Sequence, residues 1–148
     1  MKILVLHGVN LNMFGRRDPA HYGTVTLGQI DARLRATAVE LGVDIDIFQS
    51  NFEGQMCERI HLALDQEFAA VVINAGAWTH YSYALRDALA MLQLPVIEVH
   101  MSNVEAREPF RRISVFDGLA ATKISGRGID SYLDGLREAV AIVRRSAQ

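Results

Sequence analysis

The segment from Val71 to His80 constrains the fold more than any other part of the sequence. Three branched apolar residues, Val71-Val72-Ile73, predict a strand that is buried on both faces. The run ends at Asn74-Ala75-Gly76, which is typical of a turn, and a helix is predicted over residues 81–92. Open α/β sheets bind their ligands where a buried parallel strand ends in polar residues before a helix. We therefore expect a ligand site at this strand end.

The rest of the chain alternates strand and helix patterns in the same way. Strands are predicted at residues 3–6, 43–48, 71–73, 95–99 and 120–124, and helices at 26–42, 50–66, 81–92 and 129–145. Capping boxes are predicted at Thr26 with Gln29 and at Ser50 with Glu53. This alternation predicts one α/β domain over residues 1–148, a doubly wound five-stranded parallel sheet of flavodoxin-like order. Ligands are expected at the carboxyl ends of strands 1, 3 and 4.

Composition narrows the possible functions. A net charge of −2 and a pI near 6.2 give no general attraction to nucleic acid or to membrane surfaces. The single cysteine, Cys57, leaves no pair for an internal disulfide and no cysteine cluster for a metal. No apolar run approaches membrane-spanning length and no signal peptide is predicted, so we expect a cytoplasmic protein.

Several activities common in this fold class lack their motifs here. The residues after strand 1, His7 to Asn12, form neither a flavin phosphate cradle nor an acidic magnesium site. No dinucleotide or Walker motif is present. The only lysines, Lys2 and Lys123, are poorly placed for an imine. We expect an enzyme-like site for a small polar, carboxylated ligand, with no metal, no cofactor and no imine.

A long connection over residues 8–25 contains a candidate general base. Within it, the segment of about residues 14–24 is predicted to be a flexible active-site loop. Arg17 lies five residues before Tyr22, and an arginine beside a tyrosine hydroxyl favours the phenolate. A loop tyrosine packed on the surface is the alternative interpretation.

Other polar residues follow the strand ends. His80 and His100 fit general acids or hydrogen-bond donors, or alternatively structural histidines. Asn10 and Asn74 fit a site for a water or an oxyanion, or alternatively turns. Arg111 fits an anion-binding residue or a surface ion pair.

Six runs, in order and with matching spacing over nearly the whole chain, resemble the type II 3-dehydroquinate dehydratases. They are His7–Asn12, Gly15–Pro19 with Tyr22-Gly23, Gln49-Ser50-Asn51, Asn74–His80, Ala84–Ala88, and Ile97–Asn103 with Arg107 and Phe110-Arg111-Arg112. The resemblance implies a trans elimination of water from 3-dehydroquinate through an enolate, giving 3-dehydroshikimate.

The resemblance also implies roles for individual residues. Tyr22 is the base, Arg17 keeps it ionised, Asn10 holds a water at the enolate oxygen, and His100 is the general acid. Substrate-binding and supporting positions are matched by Asn74, His80, Asp87, Met101, Ser102, Arg111 and Glu98. Of these, Asp87 matches a position that reaches a neighbouring subunit's site, and Glu98 one that orients His100. The family pattern implies a homododecamer built from trimers.

Three features depart from the family pattern. Val9 stands where a proline is expected, and His7 stands where asparagine is common. Because both residues flank Asn10, we expect them to affect the geometry of the water bound there. Trp78, with Tyr81 and Tyr83, predicts an aromatic wall at the site or at a subunit contact. A non-catalytic oligomeric module that binds a small carboxylate is the alternative function, and a flavin carrier is a further one.

Overall fold

Five parallel strands form one sheet with helices on both faces. The structure, a computed structural model, describes residues 1–148. The strand order is β2-β1-β3-β4-β5, and each neighbouring pair is parallel. The strands are β1 Lys2–His7, β2 Asp44–Gln49, β3 Ala70–Asn74, β4 Val96–His100 and β5 Thr122–Ser125. This order confirms the predicted flavodoxin-like, doubly wound sheet.

Four long helices cover the two faces of the sheet. The four long helices are α2 Leu27–Leu41, α3 Glu53–Ala63, α4 Tyr83–Leu92 and α5 Ile129–Ser146. A short helix, α1 Pro19–Tyr22, precedes them. Helices α2 and α5 pack on one face, and α3 and α4 pack on the other. Short 3-10 helices lie at Leu11–Met13, Gly76–His80, Val104–Ala106 and Pro109–Arg112. None of the helices is both long and apolar enough to cross a membrane.

The first predicted capping box is confirmed and the second is wrong. The hydroxyl of Thr26 accepts from the Gln29 N–H at 3.2 Å, and the Gln29 side chain accepts from the Thr26 N–H at 2.9 Å. At the second site the N-cap residue of α3 is Phe52, and no side chain caps the helix. Ser50 instead accepts from the Phe52 N–H at 2.9 Å and donates to the Gln55 side chain at 2.8 Å. The serine therefore stabilises the turn after β2, and the helix begins later than predicted.

The buried strands are those in the centre of the sheet. Residues Val71, Val72 and Ile73 are at most 1% exposed, which confirms the predicted strand buried on both faces. By contrast, β2 is half-exposed along its length, as expected of an edge strand. Strand β5 begins two residues later than predicted, because the Ala120 N–H still closes a turn on the Phe116 carbonyl at 2.8 Å.

Helix α5 lies very close to the sheet. A Cβ atom on Gly135 would lie 2.5 Å from a methyl carbon of Val99, so only glycine fits without displacement. One turn earlier, the side chain of Tyr132 is fully buried beneath the carboxyl ends of β1 and β3. This close packing brings a tyrosine hydroxyl to the predicted ligand-binding edge.

Candidate active site

A cavity of about 140 Å³ lies at the carboxyl ends of β1, β3 and β4. The sequence predicts a ligand site at these three strand ends. Nine of the predicted site residues line the cavity: Asn10, Arg17, Tyr22, Asn74, His80, His100, Met101, Ser102 and Arg111. The structure therefore brings together residues that are up to 101 positions apart in the chain.

Two glycines allow the loops after β1 and β3 to come into contact. A Cβ atom on Gly8 would collide with the backbone that follows β3. A Cβ atom on Gly76 would lie 2.7 Å from a carbonyl oxygen of the loop after β1. The N–H of Gly8 donates to the Asn74 carbonyl at 2.7 Å and extends the pairing of the two strands. This close approach places Asn10 and Asn74 on the same cavity.

Asn10 has a left-handed backbone conformation, with φ of 68°. Asparagine tolerates this conformation better than most residues. Its N–H donates to the side-chain oxygen of Asn51 at 2.8 Å, and the Gln49 amide donates to the same oxygen at 3.1 Å. The backbone of Asn10 is thus fixed by Asn51, which follows β2 and is itself held by the last residue of that strand. Its own side chain forms no hydrogen bond within the chain and faces the cavity.

The hydroxyl oxygen of Tyr22 accepts hydrogen bonds from two arginines. Arg17 donates through Nη2 at 2.9 Å, and its guanidinium carbon lies 3.9 Å from the centre of the tyrosine ring. Arg107 donates through Nη1 at 2.6 Å. A guanidinium has no acceptor, so Tyr22 cannot donate its own proton to either partner. Two cationic donors thus meet one oxygen, an arrangement that suits an anionic acceptor.

Arg107 is a site residue that the sequence-based prediction of roles omitted. It lies in the irregular segment after β4, and its Nη1 also approaches the Ser102 hydroxyl at 3.4 Å. Its Nε atom is buried without a hydrogen-bond partner. Arg107 belongs to one of the runs that resemble the known family, so a signal was available. Its residue type and spacing alone do not indicate that it faces Tyr22.

His100 is held by a buried carboxylate. Its Nε2 lies 2.7 Å from Glu98 Oε1, and both residues are at least 94% buried. The hydroxyl of Ser114 lies 2.9 and 3.0 Å from the two carboxylate oxygens of Glu98. Because Nε2 faces the carboxylate, Nδ1 is the ring nitrogen left for a ligand. Glu98 does not line the cavity, so the structure is consistent with an orienting position behind His100.

His80 is positioned by a backbone carbonyl. Its Nδ1–H donates to the Ile113 carbonyl at 2.6 Å, which leaves Nε2 as an acceptor toward the cavity. Burial lowers the pKa of His80 below its ordinary value, although the bond to the Ile113 carbonyl acts in the opposite direction. The charges of His100 and Arg111 lower this pKa further. The neutral imidazole is therefore the form that the folded protein favours near neutral pH.

The lining residues give the cavity a positive charge. They include three arginines, Arg17, Arg107 and Arg111, and no aspartate or glutamate. Arg111 donates through Nε to Glu108 at 2.6 Å, and this bond holds the pKa of the Glu108 carboxyl below its usual range. This bond orients the guanidinium of Arg111 and leaves its two Nη groups free to donate to an anion. The arrangement suits a small ligand with a negative charge.

Some predicted residues do not take part in this cavity. Asp87 is exposed on α4 and does not line it. The aromatic residues do not form a wall of the cavity, because Trp78 is buried in the core and Tyr81 and Tyr83 are exposed outside the lining. The alternative, an aromatic subunit contact, stays a prediction. Neither lysine reaches the cavity. Lys2 lies at the opposite end of β1. Lys123 lies on β5, and its Nζ atom is 3.9 Å from Asp117 Oδ1.

The fold and the site together define an α/β protein with an enzyme-like site for a small anion at the carboxyl edge of its sheet. A paired tyrosine and arginine, and a histidine backed by a carboxylate, face the same cavity. These are the elements of acid–base chemistry. The chain belongs to the class II dehydroquinase family, since the model described as "Dehydroquinase class II" matches residues 1–140.

Individual relatives agree with this assignment. The 3-dehydroquinate dehydratase of Leptothrix cholodnii is 62% identical over 143 residues, which cover 97% of this chain and 96% of the relative. The crystal structure of a type II dehydroquinase from Butyrivibrio crossotus has a TM-score of 0.91 at 38% identity, covering 94% of this chain and 97% of that one. The crystal structure of a type II dehydroquinase from Propionibacterium acnes has a TM-score of 0.89 at 44% identity. The match covers 95% of this chain and 96% of that one.

Proposed function

We propose that the protein is a 3-dehydroquinate dehydratase that removes water by a trans elimination and yields 3-dehydroshikimate. The observation that carries the proposal is the pair of acid–base groups on one cavity. Tyr22 accepts from Arg17 and Arg107, and His100 is backed by Glu98. The family membership and the names of the relatives agree with it.

In the first step Tyr22 acts as the general base. Its phenolate oxygen removes the proton alpha to the ketone, and the electron pair of the broken C–H bond moves to the ketone oxygen as an enolate. Arg17 and Arg107 hold the oxygen in place by their hydrogen bonds of 2.9 and 2.6 Å. Because a β-hydroxy ketone loses its hydroxyl readily once this proton has gone, neither a metal nor an imine is required for the chemistry.

The enolate needs a hydrogen-bond donor in the cavity. We assign this role to Asn10 through a bound water, because its side chain is free while its backbone is fixed in the left-handed conformation. A fixed donor stabilises a developing oxyanion without reorganising during the reaction. Val9 lines the same cavity where family members commonly carry proline, and the Asn51 bond supplies the rigidity that a proline would add.

In the second step His100 acts as the general acid. As an imidazolium it donates Nε2–H to Glu98 and Nδ1–H to the departing hydroxyl. The carbon–oxygen bond breaks, the enolate electrons form the new double bond, and the hydroxyl leaves as water. The Glu98 carboxylate stabilises the imidazolium, and the Ser114 hydroxyl keeps that carboxylate in position. Tyr22 then releases the proton it gained to solvent and His100 takes up a proton from solvent, which together restore the starting state.

The remaining lining residues are proposed to bind the substrate. Ser102 and the Met101-Ser102 backbone are assigned to the substrate carboxylate, and Arg111 adds positive charge to the cavity. His80 Nε2 is an acceptor for a substrate hydroxyl, and the Asn74 amide offers both a donor and an acceptor. The three arginines favour an anionic substrate over a neutral one.

We further propose a cytoplasmic homododecamer built from trimers, as the resemblance to the family implies. In such an assembly Asp87 reaches the site of a neighbouring subunit. Its exposure on α4, outside the cavity of its own chain, is compatible with this role. Sedimentation velocity at several protein concentrations would test the assembly, and Asp87→Ala is expected to weaken it or to raise KM. A fully assembled variant with unchanged kinetics would contradict the role.

A spectrophotometric assay tests the proposed reaction directly. The purified protein is given 3-dehydroquinate, and formation of the conjugated enone is followed with and without prior treatment with borohydride in the presence of substrate. A lysine-imine dehydratase, inactivated under the same conditions, is the positive control for the treatment. We expect enone formation that is insensitive to borohydride. Inactivation would show an imine and overturn the Tyr22 mechanism, and no enone at all would favour the non-catalytic carboxylate-binding module.

A further inference from the structure

Two consecutive residues of the loop before β5 hold the two histidines of the cavity. The Ile113 carbonyl accepts from His80 Nδ1–H at 2.6 Å. The hydroxyl of the next residue, Ser114, lies 2.9 and 3.0 Å from the two carboxylate oxygens of Glu98. That carboxylate in turn lies 2.7 Å from His100 Nε2. The orientation of both imidazoles therefore depends on the position of this one loop.

Arg86, on α4, binds the same loop, residues 113–117, from outside the cavity. Its Nη1 donates to the backbone carbonyls of Val115 and Asp117, the latter at 2.9 Å. No other donor in the chain reaches either carbonyl. Arg86 pairs with no carboxylate of its own chain and does not line the cavity. Its guanidinium therefore supplies the only hydrogen bonds to these two carbonyls.

The apolar side chains of the loop anchor a different part of it. Val115 and Phe116 are buried in the core on the side of the sheet that α3 and α4 cover. The Val115 N–H donates to the Thr79 carbonyl at 2.8 Å. These contacts hold the side chains and one N–H group, but neither of the carbonyls that face Arg86. Ile113, at the start of the loop, is 61% exposed and is not fixed by burial.

Helix α4 gives the guanidinium a firm support. The hydroxyl of Ser82 caps the helix by accepting from the Leu85 N–H at 3.2 Å, and Leu85 and Leu89 are buried in the core. Arg86 follows Leu85 directly, and its own N–H donates to the Ser82 carbonyl at 3.3 Å. Arg86 also belongs to the run Ala84–Ala88, which resembles the family. The site described above leaves this arginine without a role.

We propose that Arg86 is a positioning residue that holds residues 113–117 in place and, through this loop, orients both His80 and His100. The inference rests on the proposed function, in which His80 binds the substrate and His100 is the general acid. Without Arg86 the two carbonyls have no donor and turn toward water, which displaces the neighbouring carbonyl and hydroxyl that hold the histidines. A change outside the cavity then weakens substrate binding and acid catalysis together.

The first test compares Arg86→Met with Arg86→Lys. Methionine keeps an unbranched stem without donors, so we expect kcat to fall and KM to rise. The combined loss in kcat/KM should be roughly tenfold, less than the ~10²-fold that a misplacement of about 1 Å can cost. Lysine keeps a cationic donor near the two carbonyls, so Arg86→Lys should retain more activity than Arg86→Met. An unchanged kcat/KM in Arg86→Met overturns the inference.

Double-mutant cycles with Ser114→Ala and His80→Ala test the route of the effect. If Arg86 acts on the general acid through Ser114, its replacement should lower kcat less in the Ser114→Ala background than in the wild type. Its effect on KM should likewise be smaller in the His80→Ala background. Fully additive effects in both backgrounds overturn the route. Arg86→Lys carries the same cycles in place of a methionine variant that does not fold.

Arg144→Met is the matched control. Arg144, on α5, also donates to a backbone carbonyl, that of Leu41 at 2.7 Å, and it does not line the cavity. Its replacement changes the net charge by the same amount and should leave kcat/KM at the wild-type value. Equal losses in Arg86→Met and Arg144→Met overturn the inference. Sedimentation velocity is run on both variants, and a loss that follows altered assembly and that Arg86→Lys does not relieve overturns it too.

The outcomes distinguish the inference from the proposed function. An active wild type, with a smaller loss in Arg86→Lys than in Arg86→Met and with non-additive cycles, supports both. An active wild type in which Arg86→Met is unimpaired or strictly additive overturns the positioning role alone. A wild type that forms no enone from 3-dehydroquinate overturns the proposed function, and the positioning role is overturned with it.

Discussion

The guanidinium of Arg107 donates a hydrogen bond of 2.6 Å to the hydroxyl of Tyr22, although 85 positions separate the two residues in the chain. This bond joins the segment of residues 14–24 to the segment that follows β4. Arg17 donates to the same oxygen at 2.9 Å from within the first segment. The tyrosine is thus fixed from both sides of the cavity, and its oxygen is held as an acceptor.

Tyr22→Phe tests whether this oxygen is the base. The change removes the proton acceptor and leaves the ring, which packs against Phe14 with a centroid separation of 5.7 Å. We expect kcat to fall about 10³-fold, within the range found for general bases, with little change in the binding of an unreactive substrate analogue. Steady-state kinetics and titration calorimetry measure the two effects. Turnover close to that of the wild type would contradict the assignment.

Replacing Arg107 tests its role in holding the Tyr22 oxygen. Arg107→Ala removes a donor and a positive charge, so kcat is expected to fall about 10²-fold, as when one donor to a reacting oxygen is lost. Arg107→Lys should lie between this variant and the wild type, because an ammonium keeps the charge without the planar fork.

The matched control for Arg107 is Arg112→Ala. Arg112 is exposed in the same irregular region and does not line the cavity. Its removal changes the net charge by the same amount, so a general electrostatic effect would appear in both variants. Equal losses in Arg107→Ala and Arg112→Ala would therefore refute a specific contact with Tyr22.

Much of the fold can be predicted from local patterns in this sequence. The apolar run Val71–Ile73 and the regular alternation of elements indicate a parallel sheet, and the right-handed connection rule leaves few orders for it. Asn74, His80 and His100 are predictable because polar residues after buried strands meet at one edge. Arg17 and Tyr22 are predictable as a pair because they lie five residues apart on one segment.

Contacts between distant segments cannot be predicted in this way. His7 and Tyr132 lie 125 positions apart, and nothing in the pattern of α5 indicates which buried aromatic residue meets the end of β1. Ser50 shows the same difficulty at short range. Its residue type fits a helix cap, but the turn that follows β2 uses the hydroxyl, which accepts from the Phe52 N–H. In both cases the tertiary packing decides among partners that the sequence allows equally.

Glu98→Gln tests the support of the general acid. The change keeps the size of the side chain but removes the negative charge that faces His100 Nε2 at 2.7 Å. The imidazolium is then less stable and less well oriented, so we expect kcat to fall about 10²-fold. Ser114→Ala, which leaves the Glu98 charge in place but removes the hydroxyl that holds it and that accepts from the Phe116 N–H, should cause a smaller loss. Glu105→Gln, an exposed change of the same kind, is the control, and an equal loss there would argue against the role of Glu98.

The pH dependence of stability tests the state of His80. Burial lowers the pKa of His80 in the folded protein, whereas an unfolded chain has the ordinary value of about 6.5. Between these two values the unfolded state binds more protons, so stability rises with pH in this window. Above about pH 6.5 neither state is protonated at His80, and its contribution is fully present. As the pH falls toward the folded-state pKa, that contribution is lost.

His80→Asn removes this titration while keeping a donor close to the position of Nδ1 for the Ile113 carbonyl. We expect the free energy of unfolding of the wild type to fall more steeply than that of the variant as the pH is lowered from about 7.5 to about 5. Urea denaturation at fixed protein concentration measures both curves, since assembly makes stability depend on concentration. The other four histidines are common to both proteins, so their effect cancels in the difference. Parallel curves would show that His80 is not kept neutral by burial, and a substrate hydroxyl would then meet a protonated donor at Nε2 instead of an acceptor.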